Sequence, residues 1–89
     1  MTDQISAWMR TRTGWRLDDD RLRKTFRFPD FVQAVTFVNR VADAAEDMDH
    51  HPDIDIRYSA VHLSLWTHTA GGVTEKDLAL AEAVDLAID

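Results

Sequence analysis

The chain has 89 residues, 45% of them hydrophobic and 29% charged, with a net charge of −6 at pH 7 and no cysteine. This suits one globular domain over residues 1–89, short enough that association with copies of itself is expected. The acidic balance argues against nucleic acid or an anionic membrane as partner, and the missing cysteines exclude disulfides, thiolate catalysis and cysteine-based metal centres.

The opening segment "TDQISAWMR" places Ile5, Trp8 and Met9 on one helical face, with Thr2 or Asp3 as candidate cap. Gly14 ends the pattern. "WRL", 15–17, reads as a short strand, "DDD", 18–20, as a turn, and "RLRKTFRF", 21–28, as the second strand of a hairpin, its basic residues on the wet side. Asp30 and Gln33 fit a capping box at the start of the longest helix. Phe31, Ala34, Val35, Val38, Val41, Ala42, Ala45 and Met48 recur there at helical spacing, and Pro52 stops the helix near His50. Ile54, Ile56 and Tyr58 share one strand parity, and Val61, Leu63 and Leu65 the other. The phase change predicts a second hairpin turning at Ser59 and Ala60. After the loop "AGG", Thr74 caps a last helix striped by Leu78, Ala81, Val84 and Leu86 or Ile88. The order α-β-β-α-β-β-α predicts an α+β fold, a four-stranded antiparallel sheet with three helices packed on one face. No segment resembles a signal peptide or is long enough to span a bilayer, so a cytoplasmic protein with no membrane partner is expected.

Chemistry concentrates in "EDMDHHPD", 46–53, where four carboxylates surround two adjacent histidines at a helix end. A solvated turn, a metal site and an acid/base site all fit that composition. Glu46 lies four residues upstream of His50 on the same helix, and so on the same face. Glu46 and His50 could then chelate an ion, with His68 joining, although adjacent histidines diverge and no His-Glu-x-x-His run is present. Carboxylates beside an imidazole equally suit proton transfer near neutral pH. His68 ends the fourth strand before two glycines. Asp77 follows Thr74 by three residues, the capping-box position, which does not prevent its facing a ligand. His62, Ser64 and Trp66 fall on the strand face away from the helices, where Trp66 is either an exposed contact between copies of the chain or an edge packed under a loop.

Residues 45–81, "AEDMDHHPDIDIRYSAVHLSLWTHTAGGVTEKDLALA", resemble the central region of the pterin-4a-carbinolamine dehydratases. The pattern falls on Glu46, Asp49, His50, His51, Pro52, Tyr58, Thr67, His68 and Asp77, and "GW" at 14–15 and "FRFPDF" at 26–31 extend it. The resemblance implies the same α-β-β-α-β-β-α order, assembly into homodimers or homotetramers, and dehydration of 4a-hydroxytetrahydropterin to quinonoid dihydropterin. It implies neither metal nor cofactor, the pterin being the substrate of tetrahydrobiopterin recycling beside an aromatic amino acid hydroxylase. His50 and His68 would be the acid/base pair, and His51 would orient the pterin. Glu46 and Asp49 would tune His50, Thr67 and Asp77 would support His68, and Pro52 would stiffen the turn. Some relatives of that family act as dimerisation partners for transcription factors or as assembly factors for other enzymes, so a non-catalytic protein-binding role on the same fold is the alternative. Two positions depart from the pattern: Ile54 stands where a Trp is usual, and Trp66 where a small polar residue is.

Overall fold

Residues 2–88 are described by a computed structural model. Helices α1 (Thr2–Thr11), α2 (Phe31–Met48) and α3 (Glu75–Leu86) alternate with strands β1 (Arg16–Asp18), β2 (Arg21–Arg27), β3 (Asp53–Arg57) and β4 (Ala60–Leu65). The sheet runs β1-β2-β4-β3, every neighbour antiparallel. The predicted order and fold class are those observed. Thr2 and Asp3, the expected caps, fall within α1, and their side chains are not among those described.

Each hairpin turns on two residues. Asp19 and Asp20 both take positive φ, 53° and 58°. This is the backbone of a tight turn whose twist matches that of the strands, and a short Asp side chain tolerates it. The second turn sits at Tyr58 and Ser59, one residue earlier than predicted, because Ala60 already pairs with Arg57 and Arg27. Tyr58 carries the positive φ there.

Period two sorts the central strands. Leu22 and Phe26 of β2 and Val61, Leu63 and Leu65 of β4 are buried beneath Ala34, Phe37 and Val41 of α2, Leu78, Leu80, Ala81 and Val84 of α3, and Ile5 of α1. Burying a Leu or Phe side chain stabilises by about 1.5–3 kcal/mol, so these side chains fix which face of the sheet the helices cover. The α2 stripe differs from the predicted one. Phe37 is buried, whereas Phe31, Ala42 and Met48 are exposed. Likewise Leu80 joins the α3 stripe, and Leu86 and Ile88 are exposed. Lys24, expected on the wet side of β2, lies on the core side, its Nζ 2.8 Å from Asp85 and over the Trp15 and Phe26 rings. Its long apolar stem allows this placement while the ammonium keeps a carboxylate.

The other sheet face is polar. Thr25 and Asp55 flank His62, and Arg23 and Asp53 flank Ser64. No helix among the described residues is long and apolar enough to cross a membrane.

Candidate active site

The site begins where α2 ends. Asp49 adopts the left-handed conformation (φ 49°), and its N–H bonds back to Ala45 and Glu46. The N–H of His50 reaches the Ala45 carbonyl at 3.0 Å. This pair of bonds closes the last turn and reverses the chain direction. The two consecutive histidines that follow differ in exposure. The His50 side chain is 12% exposed and that of His51 is 58% exposed.

His50 turns inward to Asp77, its Nε2 lying 2.6 Å from Oδ1 of a carboxylate with no exposed surface. The same carboxylate caps α3. Its Oδ2 accepts from the Thr74 N–H at 2.9 Å, and Thr74 reciprocates to complete a capping box. The Thr67 hydroxyl also donates to Oδ2, at 2.8 Å, and lies 2.6 Å from the Thr74 hydroxyl. With Oδ2 occupied by two donors, Oδ1 is the acceptor left for His50, whose Nε2–H donates to it. Asp77 is thus both helix cap and imidazole partner, as its position in the sequence allowed.

Glu46 pairs with the Nε2 of His51 rather than with His50. The expected one-turn spacing from Glu46 to His50 requires a helix continuing to residue 50, and α2 stops at Met48. Nor does Asp77 reach His68 as expected; it holds His50. Asp49 supplies the left-handed cap and lines the cleft. Pro52, half buried, sits just before β3.

A cleft of ≈ 220 Å³ is lined by Asp49, His50, His51, Trp66, Thr67, His68, Thr69 and Lys76. It brings all three predicted histidines to one surface. Thr67 is placed by antiparallel bonding to Gly72, and its carbonyl accepts from Ala70 and Gly71. Gly71, at φ +72°, supplies the left-handed residue that this tight loop requires. Residue 68 is thereby presented at the cleft mouth, where His68 is exposed.

Of the two placements expected for Trp66, the structure shows the edge packed beside the loop. The indole is half buried in the cleft wall, its ring centroid 4.1 Å from that of His68. Residues 66 and 68 share parity on extended backbone, which was the available signal. Lys76 in the first turn of α3 also lines the cleft and carried no such signal.

A larger hollow of ≈ 520 Å³ lies on the polar sheet face, among Arg16, Arg23, Asp53, Asp55, Arg57 and His62. His62 there contacts the Thr25 hydroxyl at 2.8 Å. Size favours this trough, but facing imidazoles and a buried carboxylate favour the smaller cleft as the chemical site. Among the described residues, no three imidazole or carboxylate groups are grouped to share a metal ion.

The family described as pterin 4 alpha carbinolamine dehydratase matches residues 1–87. A Chloroflexus aurantiacus protein named "Putative pterin-4-alpha-carbinolamine dehydratase" is 50% identical over 82 residues, 92% of this chain and 88% of its own. A crystal structure of a transcriptional coactivator/pterin dehydratase from Brucella melitensis superposes with a TM-score of 0.94 at 31% identity, covering 100% of this chain and 97% of that one. A pterin dehydratase-like protein identified as a RuBisCO assembly factor in the alpha-carboxysome gives a TM-score of 0.69 at 25% identity, over 83% of this chain and 86% of its own.

Proposed function

The chain belongs to the pterin 4 alpha carbinolamine dehydratase family, and on that premise we propose that it removes water from a 4a-hydroxytetrahydropterin by histidine acid/base catalysis. The observation that carries this reading is the convergence of His50, His51 and His68 on one cleft, with Asp77 buried behind His50.

Hydroxide leaves C4a poorly unless it is protonated, and N5 must lose its proton as the C4a–N5 double bond forms. One imidazole gives a proton to the departing oxygen and another takes the proton from N5. The products are water and quinonoid dihydropterin, with no net proton consumed. His50 and His68 fill these roles, each contributing roughly 10²–10⁴-fold. With Nε2–H of His50 committed to Asp77, Nδ1 is its proton-exchanging atom. His51, steadied by Glu46, orients the pterin at the cleft mouth. No metal or cofactor takes part in this scheme. The reaction returns a pterin cofactor to use, as beside an aromatic amino acid hydroxylase, in a protein that assembles as a homodimer or homotetramer in the cytoplasm.

The test follows dehydration of freshly generated 4a-hydroxytetrahydropterin by ultraviolet absorbance, with and without the protein and with a chelator present. Acceleration that survives chelation is expected. A folded protein that leaves the spontaneous rate unchanged would favour the second reading, a non-catalytic assembly factor on the same fold. The assembly-factor neighbour motivates that alternative.

A further inference from the structure

His50 and His51 each have a carboxylate to fix the ring, whereas His68 has none among the described residues. An exposed imidazole without a partner changes rotamer on the picosecond-to-nanosecond scale, and proton transfer requires it within hydrogen-bond reach of one atom. What His68 does meet is Trp66, with centroids 4.1 Å apart and planes tilted by 32°.

That indole is itself anchored. Its Nε1–H donates to Asp53 on the neighbouring edge strand at 3.1 Å. The Arg21 guanidinium carbon lies 4.1 Å from its centroid, close enough for a cation–π contact. Arg21 is held in turn by the carbonyl and carboxylate of Asp19, at 3.0 and 3.3 Å, within the positive-φ turn of the first hairpin. Ile54, where the resemblance expects a Trp, pairs with Leu63 on the helix-covered side of the sheet. Trp66 is therefore the one aromatic carbocycle among the described residues lining the cleft.

We propose that Trp66 is a positioning residue, its indole fixed by Asp53 and Arg21 so as to hold the His68 imidazole in its proton-exchanging orientation. The inference rests on the assignment of His68 to the acid/base pair, so its test has one arm that reads turnover and one that does not.

The second arm is the histidine proton–carbon NMR spectrum of the full chain, with His68 assigned by its disappearance in His68→Ala. The indole ring current should shift the His68 ring protons in the wild type, and Trp66→Leu should abolish that shift. In the turnover arm, Trp66→Leu should lower kcat by about ten- to a hundredfold, the scale of a misplaced catalytic group, with KM unchanged. Trp66→Phe, which keeps an aromatic face, should recover most of kcat and guards against a Leu variant that fails to fold. The proposal is overturned by an unshifted His68 in the wild type, by full kcat in Trp66→Leu, or by a loss confined to KM, which would make the indole a substrate contact. If the wild type does not accelerate dehydration, the functional reading fails while the ring-current arm still decides whether Trp66 orients His68.

Discussion

His50 and His51 are adjacent, of one residue type, and each is paired with one carboxylate. His50 meets a fully buried aspartate that also receives a hydroxyl and a helix N–H. His51 meets a glutamate whose side chain is 75% exposed. Water screens the outer pair, and holding two mobile side chains together offsets most of what it gains, leaving roughly 0–1 kcal/mol. The inner pair is sheltered from water and geometrically fixed, and leaving either member alone costs several times as much. The two environments part at the left-handed turn of Asp49, after which one ring is buried and the next is exposed.

Removing the inner imidazole is the strongest way to break the comparison. His50→Ala should lower dehydration kcat by roughly 10²–10⁴-fold, with far-ultraviolet circular dichroism retained; turnover like that of the wild type would take His50 out of the reaction. His68→Ala should match it, through an imidazole that has no carboxylate partner among the described residues. Asp77→Ala attacks the inner pair from behind. Denaturant unfolding should show a loss of about 3 kcal/mol or more, because the variant removes both the imidazole's partner and the carboxylate half of the α3 capping box. Asp77→Asn should return part of that stability, since an amide can serve one donor, without returning activity. Thr67→Val removes one hydroxyl at nearly constant volume and should cost about 1 kcal/mol, measured the same way. The outer pair gives the smallest effect. Glu46→Ala should leave unfolding within about 0.5 kcal/mol of the wild type and act on KM rather than kcat. An Asp77-sized loss of stability there would erase the distinction between the two pairs.

Local pattern made much of this architecture legible. The Thr74/Asp77 spacing predicted the cap of α3, and the parity of Val61, Leu63 and Leu65 predicted the buried face of β4. Helical periodicity was less reliable in α2, where Phe31 and Phe37 are six residues apart and both fit a broad apolar stripe. Contacts with Phe26 of β2 at 4.7 Å and with Phe28 just beyond it at 5.1 Å between ring centroids select Phe37. The three site histidines and Asp77 were visible as residues, and their pairing was not. His50 and Asp77 are 27 positions apart, and the buried ring directly follows a left-handed residue, a conformation that Asp tolerates without announcing. Trp66 was left between two placements for a related reason. Parity put it on the uncovered face correctly, but that face is not uniformly open, because the end of α2 and the 68–72 loop wall in its corner.

The double duty of Asp77 affects how descendants of such a chain can drift. A lineage that stops needing turnover is released from keeping His50, yet its last helix still needs a first-turn acceptor for the Thr74 N–H. An acidic residue at that place therefore records the demands of folding, whether or not any chemistry survives. An enzyme and a retired scaffold of this shape would differ first at the imidazole and only later, if ever, at the carboxylate behind it.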